Sequence, residues 1–162
     1  MKELKTAIPD RVRKGTVSVA ERVSALNKTC PHAVLATDAA GQPYTSLVAY
    51  ALTPDLKGVL FTTPKATRKY RNILKNPRIS LLIDTRTNTS KDYMKAESVT
   101  MLGNARPLRR GKTRANLSAL FLKKHPKLEG IIHSCETALI FIEITTYIHV
   151  TKFQSVSVWN VR

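Results

Sequence analysis

The chain has 162 residues, 43% of them hydrophobic, which allows one domain with a real core and not two. Lysine and arginine number 27 against 11 acids, a formal charge of +16, so the surface attracts anions: nucleic acid, an acidic membrane or a phosphorylated small molecule. Apolar runs are short, as in Ala138 to Ile142, which ends at Glu143, far below the roughly 20 residues that cross a bilayer. No apolar stretch follows Met1 to Lys5, so neither a membrane segment nor a secretory leader is expected.

Residues 1–15 are charged and weakly patterned and read as an N-terminal arm, with one domain over 16–162. Val17 to Leu26 carries Val19, Val23 and Leu26 on one side, a short amphipathic helix, and Pro31 follows its end. His32 to Thr37 and Tyr44 to Leu52 read as strands joined by the Gly41-Gln42-Pro43 turn, and Val59 to Thr63 is a third. Thr63-Pro64 then reads as an N-cap with proline at the first helical position. Ala66, Tyr70, Ile73 and Leu74 define a helical apolar face, stopped by Asn76-Pro77. Arg78 to Asp84 is a strand, Thr85 to Lys95 a polar loop, and Glu97 to Arg106 a strand with Gly103 as a bulge. Lys112 to Lys124 is a helix facing inward with Leu117, Leu120 and Phe121; Ala138 to Thr151 and Ser155 to Val161 are the last strands. Strands joined by tight turns predict an antiparallel sheet, and this many in a small domain close into a barrel.

The charge is not spread evenly. Lys65, Arg68, Lys69, Arg71, Lys75 and Arg78 form one run without an acid; Arg106, Arg109, Arg110, Lys112, Arg114, Lys123, Lys124 and Lys127 form a second. Either can be a solvated face. The first lies where a strand passes into a helix, and a helix start presents unpaired N–H groups and the positive end of its dipole. With the Thr67 hydroxyl, Arg68 and Lys69, that is a site for a terminal phosphate. Cys30 and Cys135 stand far apart and in no metal spacing, which suits idle thiols in a reducing, cytoplasmic compartment. His32, His125, His133 and His149 form no metal spacing either, and His149 reads as structural. Trp159, in the last strand, fits packing or a cover over a flat ligand.

The string Phe61-Thr62-Thr63-Pro64-Lys65-Ala66-Thr67-Arg68-Lys69, followed by Asn76-Pro77-Arg78-Ile79-Ser80-Leu81-Leu82, resembles the pyridoxamine-phosphate-oxidase-like FMN-binding split barrels. Gly41-Gln42-Pro43-Tyr44 and Ser46-Leu47-Val48 upstream, and Val99 to Ala105 and Lys124-His125-Pro126 downstream, fit the same pattern. The resemblance implies a mainly β protein with short helices, a six-stranded antiparallel split barrel that forms a homodimer with FMN at the interface. By position, Thr67, Arg68 and Lys69 hold the flavin phosphate. Thr62 and Thr63 line the flavin from the third strand. Ser46, Leu47 and Val48 line it from the second, partly through backbone groups. Ser98 stands where the family often reaches the cofactor of the partner chain.

The chain also departs from the family's founding activity. The lysine that holds substrate phosphate there corresponds to Ala51, the arginine early in the second strand to Ser46, and no Arg-x-His motif occurs. An FMN-dependent oxidoreductase of another substrate, fed by a nicotinamide or organic electron donor, is the expectation. The alternatives are a flavin-binding protein that stores or senses, a haem-handling or deazaflavin-binding relative, and a nucleic-acid-binding barrel. Aromatics at 6% that do not interleave with the basic runs argue against the last.

Overall fold

The structure, a computed structural model, describes residues 18–151 and 155–161; the expected N-terminal arm lies outside them. Helix α1 (Val19–Thr29) begins at a reciprocal capping box, in which Ser18 Oγ accepts from the Glu21 N–H and the Glu21 carboxylate accepts from the Ser18 N–H. It runs on to Thr29 rather than ending at Leu26. Strands β1 (His32–Ala39) and β2 (Gln42–Leu52) form a hairpin whose two turn residues, Ala40 and Gly41, have φ of +59° and +79°. Both positive angles match the twist of the flanking strands. Strand β3 (Gly58–Pro64), helix α2 (Arg68–Lys75) and strand β4 (Arg78–Asp84) follow. The polar stretch after β4 holds a single turn, α3 (Asp92–Lys95), which sequence periodicity did not reveal. Strand β5 (Ser98–Pro107), helix α4 (Lys112–Lys124), the short α5 (Glu129–His133), strand β6 (Thr137–Thr151) and strand β7 (Ser155–Asn160) complete the order.

The sheet runs β3-β2-β1-β4-β5-β6-β7, and β3 also pairs with β6, so β1 to β6 close into an antiparallel barrel, with β7 paired to the second half of β6 beyond the β3 pairing. Alternate residues fill the interior: Leu35, Tyr50, Phe61, Leu81, Met101 and Ile140 are fully buried. On one outer side, Ala51, Leu60 and Leu139 pack under Phe121 of α4 and Ile132 of α5. Helix α1 closes one end of the barrel with Val23 and Leu26; α2 closes the other with Ile73. Buried Asn72 of α2 donates to Thr37 Oγ1 at 3.1 Å.

The expected bulge is present, since the β5–β6 register shifts between Leu102 and Gly103. A Cβ at Gly103 would lie 2.3 Å from the Glu143 carbonyl oxygen, so the crossing needs glycine. The helix start differs from expectation. Pro64 is still in β3, paired with Thr137 of β6, and the N-cap of α2 is Thr67, not Thr63. A strand end tolerates proline because the missing N–H lies where pairing stops, so the ladder with β6 carries the chain past Thr63 before it can coil.

Candidate cofactor site

Strands β2 and β3 pair at Tyr50–Phe61, Ala51–Leu60 and Leu52–Val59 and then part. Beyond that point β2 stays paired with β1 alone, from Ala49 back to Gln42, while β3 stays paired with β6 through Pro64. The barrel wall is therefore split between Thr45–Ala49 on one side and Thr62–Pro64 on the other. Strand edges facing such a split have N–H and C=O groups free for a ligand.

Helix α2 starts at the end of this split. Thr67 donates its hydroxyl proton to the Pro64 carbonyl (2.8 Å) and accepts from the Tyr70 N–H (3.4 Å); Thr63 Oγ1 lies 2.9 Å away. The two hydroxyls thus brace the strand-to-helix turn. Arg68 and Lys69 occupy the first two helical positions, whose backbone N–H groups have no partner within a helix, and the first turn has no acid. Arg68 is exposed, and its guanidinium carbon stands 5.0 Å from the centre of the Tyr44 ring on β2, so cation and ring span the opening. Ser46 points to the barrel side of β2, opposite Leu35; its Oγ is buried with no hydrogen-bond partner among the described residues. A buried orphan hydroxyl is costly, and one on the strand that flanks the split fits a ligand carrying acceptor oxygens.

The expected residues fall into groups. Thr63, Thr67, Arg68, Lys69 and Ser46 gather around the split at the α2 end. Val48 is 5% exposed and belongs to the core, so only its backbone can face a ligand. Thr62 and Leu47 point outward, Leu47 at 67% exposure. Ser98 is not brought to this site by its own chain. It pairs with Asp84 at the α1 end of the barrel, where Arg22 of α1 bonds the adjacent Glu97. Tyr44 and Asn72 were not singled out as site residues in the sequence. Tyr44 lay in the string matched upstream, whereas nothing local marks Asn72 as the residue that ties α2 to β1.

Of the remaining candidates, His149 and His125 are held by protein groups, whereas His32 and His133 are exposed. His149 is buried and hydrogen-bonded to Glu97 at 2.8 Å. His125 Nε2 lies 2.8 Å from the Tyr50 carbonyl oxygen, and burial lowers the pKa of its ring. Trp159 stacks on Tyr147, ring centres 5.1 Å apart, and packs against the barrel core. Among the described residues no group of three or more His, Cys, Asp or Glu side chains is placed to hold a metal ion, and no helix is long and apolar enough to cross a membrane.

A family model described as pyridoxamine 5'-phosphate oxidase matches residues 19–145. No curated protein matches the chain. Among solved structures, a heme binding protein from Mycobacterium smegmatis is 20% identical with a TM-score of 0.78; the match covers 90% of this chain and 59% of that one. HutZ, the heme storage protein from Vibrio cholerae, is 16% identical with a TM-score of 0.70, over 88% of this chain and 95% of that one. A FAD-binding protein from Mesorhizobium loti is 17% identical with a TM-score of 0.65, over 82% and 92%. At these identities the likeness is one of fold.

Proposed function

The chain belongs to the pyridoxamine 5'-phosphate oxidase family, and on that premise we propose that it binds FMN in the split between β2 and β3 and works as a cytoplasmic FMN-dependent oxidoreductase. The observation that carries this reading is the opening itself. It has free strand edges, the orphan Ser46 hydroxyl, and a helix start with two cations and no acid. Arg68 and Lys69, with the first amides of α2, hold the phosphate; Arg68 grips two oxygens and Lys69 acts as a point charge. Thr63 and Thr67 keep that turn in shape. Thr62 and the backbone of Leu47 and Val48 line the flavin.

The outer sheet face beside the split is where a second copy of the chain would cover a bound flavin. One cross-strand row there joins Leu47, Val34, Leu82, Thr100, Ile148 and Val158. It is apolar apart from Thr100, and Leu47 is its most exposed member. In a two-fold dimer the same patch meets itself, and Ser98, remote from the site of its own chain, reaches the cofactor of the partner. When bound, FMN would supply the redox chemistry toward a nicotinamide or organic donor, while the protein supplies position and polarity. Pyridoxal phosphate synthesis is not the proposed reaction, because Ala51 cannot hold a substrate phosphate and no Arg-x-His occurs. Haem is the competing ligand for the fold; His125 and His149 are already engaged by protein groups, which leaves the exposed His32 and His133 as its only histidine ligands among the described residues.

The test is an FMN titration followed by flavin fluorescence. Saturation at one FMN per chain is expected, and R68A or K69A should each weaken binding about 10- to 100-fold, since a hydrogen bond to a charged group contributes roughly 1.5–3 kcal/mol. Unchanged affinity in both variants rejects the assignment. A Soret band on adding haemin, with no FMN bound, replaces flavin by haem, and a preference for deazaflavin over FMN changes the cofactor. Oxidation of NAD(P)H by the loaded protein separates an enzyme from a flavin store.

A further inference from the structure

The second basic run is not used by the flavin site, and two of its members, Arg110 and Arg114, line a cavity of about 650 Å³ on the outside of the barrel. The cavity lies between the start of α4, α5 and the β3–α2 connection, and none of the nine residues assigned to the flavin lines it. Its size is that of a small-molecule site. Tyr70, Leu108 and Ile132 supply apolar wall.

Its polar side is built for an anion. Helix α4 starts at Gly111, which offers no side chain to cap the first amides, and its first turn has no acid. A carboxylate in the cavity would satisfy those amides and sit at the positive end of a 13-residue helix. Arg114 spends one N–H on the Ile132 carbonyl, at 3.2 Å, which ties α5 to α4 and leaves the rest of its fork. Arg110 is exposed and has no partner among the described residues. Ser118, one helical turn beyond Arg114, is 9% exposed and lines the cavity, where its hydroxyl is open to a ligand. On the opposite wall, Lys65 donates to the Cys135 carbonyl at 2.7 Å and holds the α5–β6 connection in place.

We infer that this cavity is a second ligand site, which takes a small amphipathic carboxylate: the head on Arg110, Arg114, Ser118 and the α4 amides, the tail against Tyr70, Leu108 and Ile132. A planar two-oxygen head matches the guanidinium fork. The inference stands apart from the flavin reading, since it uses none of the same residues.

Octanoate, octanol and acetate are the probes, and amide chemical-shift mapping of the full chain locates them, with and without saturating FMN. Octanoate should bind saturably, shift residues 107–119 and 131–138, and not be displaced by FMN. Octanol and acetate should each bind at least tenfold more weakly, because each lacks one half of the contacts. R114A should lose at least tenfold in octanoate affinity. R110A, which breaks no internal contact, should also lose affinity while keeping the wild-type melting temperature. A119W should fill the cavity and block octanoate. Shifts centred on the β2–β3 split or scattered over the surface, octanol binding as tightly as octanoate, or R110A and R114A both binding like wild type would each overturn the inference. Failure of FMN to bind, with octanoate still mapping to the cavity, rejects the flavin reading and leaves this one standing.

Discussion

Glu97, beside the start of β5, ties that strand to α1 and β6. Arg22 of α1 donates to both carboxylate oxygens, and His149 of β6 lies 2.8 Å from one of them. Burial pushes the Glu97 carboxyl up, but the bonds from Arg22 and then His149 outweigh it and hold the carboxyl below the ordinary glutamate range. A depressed carboxyl lends stability that is complete above its unfolded pKa, near 4.3, and is lost as pH falls through the lower folded value. Thermal melts from pH 7 to pH 3 should therefore show wild type losing more stability below about pH 4.3 than E97Q, which starts lower at pH 7. Parallel profiles would mean the network contributes nothing. At this scale the sequence was partly legible. Arg68 and Lys69 could be placed at a helix start from the string alone, and the Ser18–Glu21 spacing was a visible capping signal that went unread. The sequence favours Thr63 as the cap and the structure uses Thr67, because both precede the same helix and the ladder with β6 decides between them.

Among the elements, β5 depends on one residue for its crossing with β6. Gly103 lies at the register shift, and any side chain there meets the Glu143 carbonyl and the Ile142 methyl. G103A should cost about 1–3 kcal/mol, typical of forcing extra volume into a packed site, and lower the melting temperature by several degrees on denaturation. A melt unchanged from wild type would show that the bulge relaxes freely. The strands were legible because their period-two pattern and turn residues are local. The turns α3 and α5 were not, since helices of 4 and 5 residues are too short to show a period. They form where surrounding contacts leave the chain no better course.

For the whole molecule, the outer row that runs from Leu47 through Leu82 to Val158 is the surface on which a dimer would close. L47D puts a charge into that row without touching the core, since Leu47 is 67% exposed. The expected outcome is a shift from a dimer to an 18.1 kDa monomer in light scattering, with FMN affinity falling at the same time. Wild type that stays monomeric with FMN bound would remove the dimer from the proposal. The sequence by itself determined the order of the strands, the basic helix start and the family pattern, because these depend on residues close together in the chain. Tertiary structure decided where β2 and β3 part, which leaves Ser46 without a partner and places Tyr44 against Arg68. It also decided that Ser98 stands at the far end of the barrel, and that Arg110, Arg114 and Ser118 share a cavity with Tyr70. Those relations arise from closing the barrel through β3–β6 pairing and folding α4 and α5 onto its wall, contacts between segments that carry no mark of one another in the linear chain.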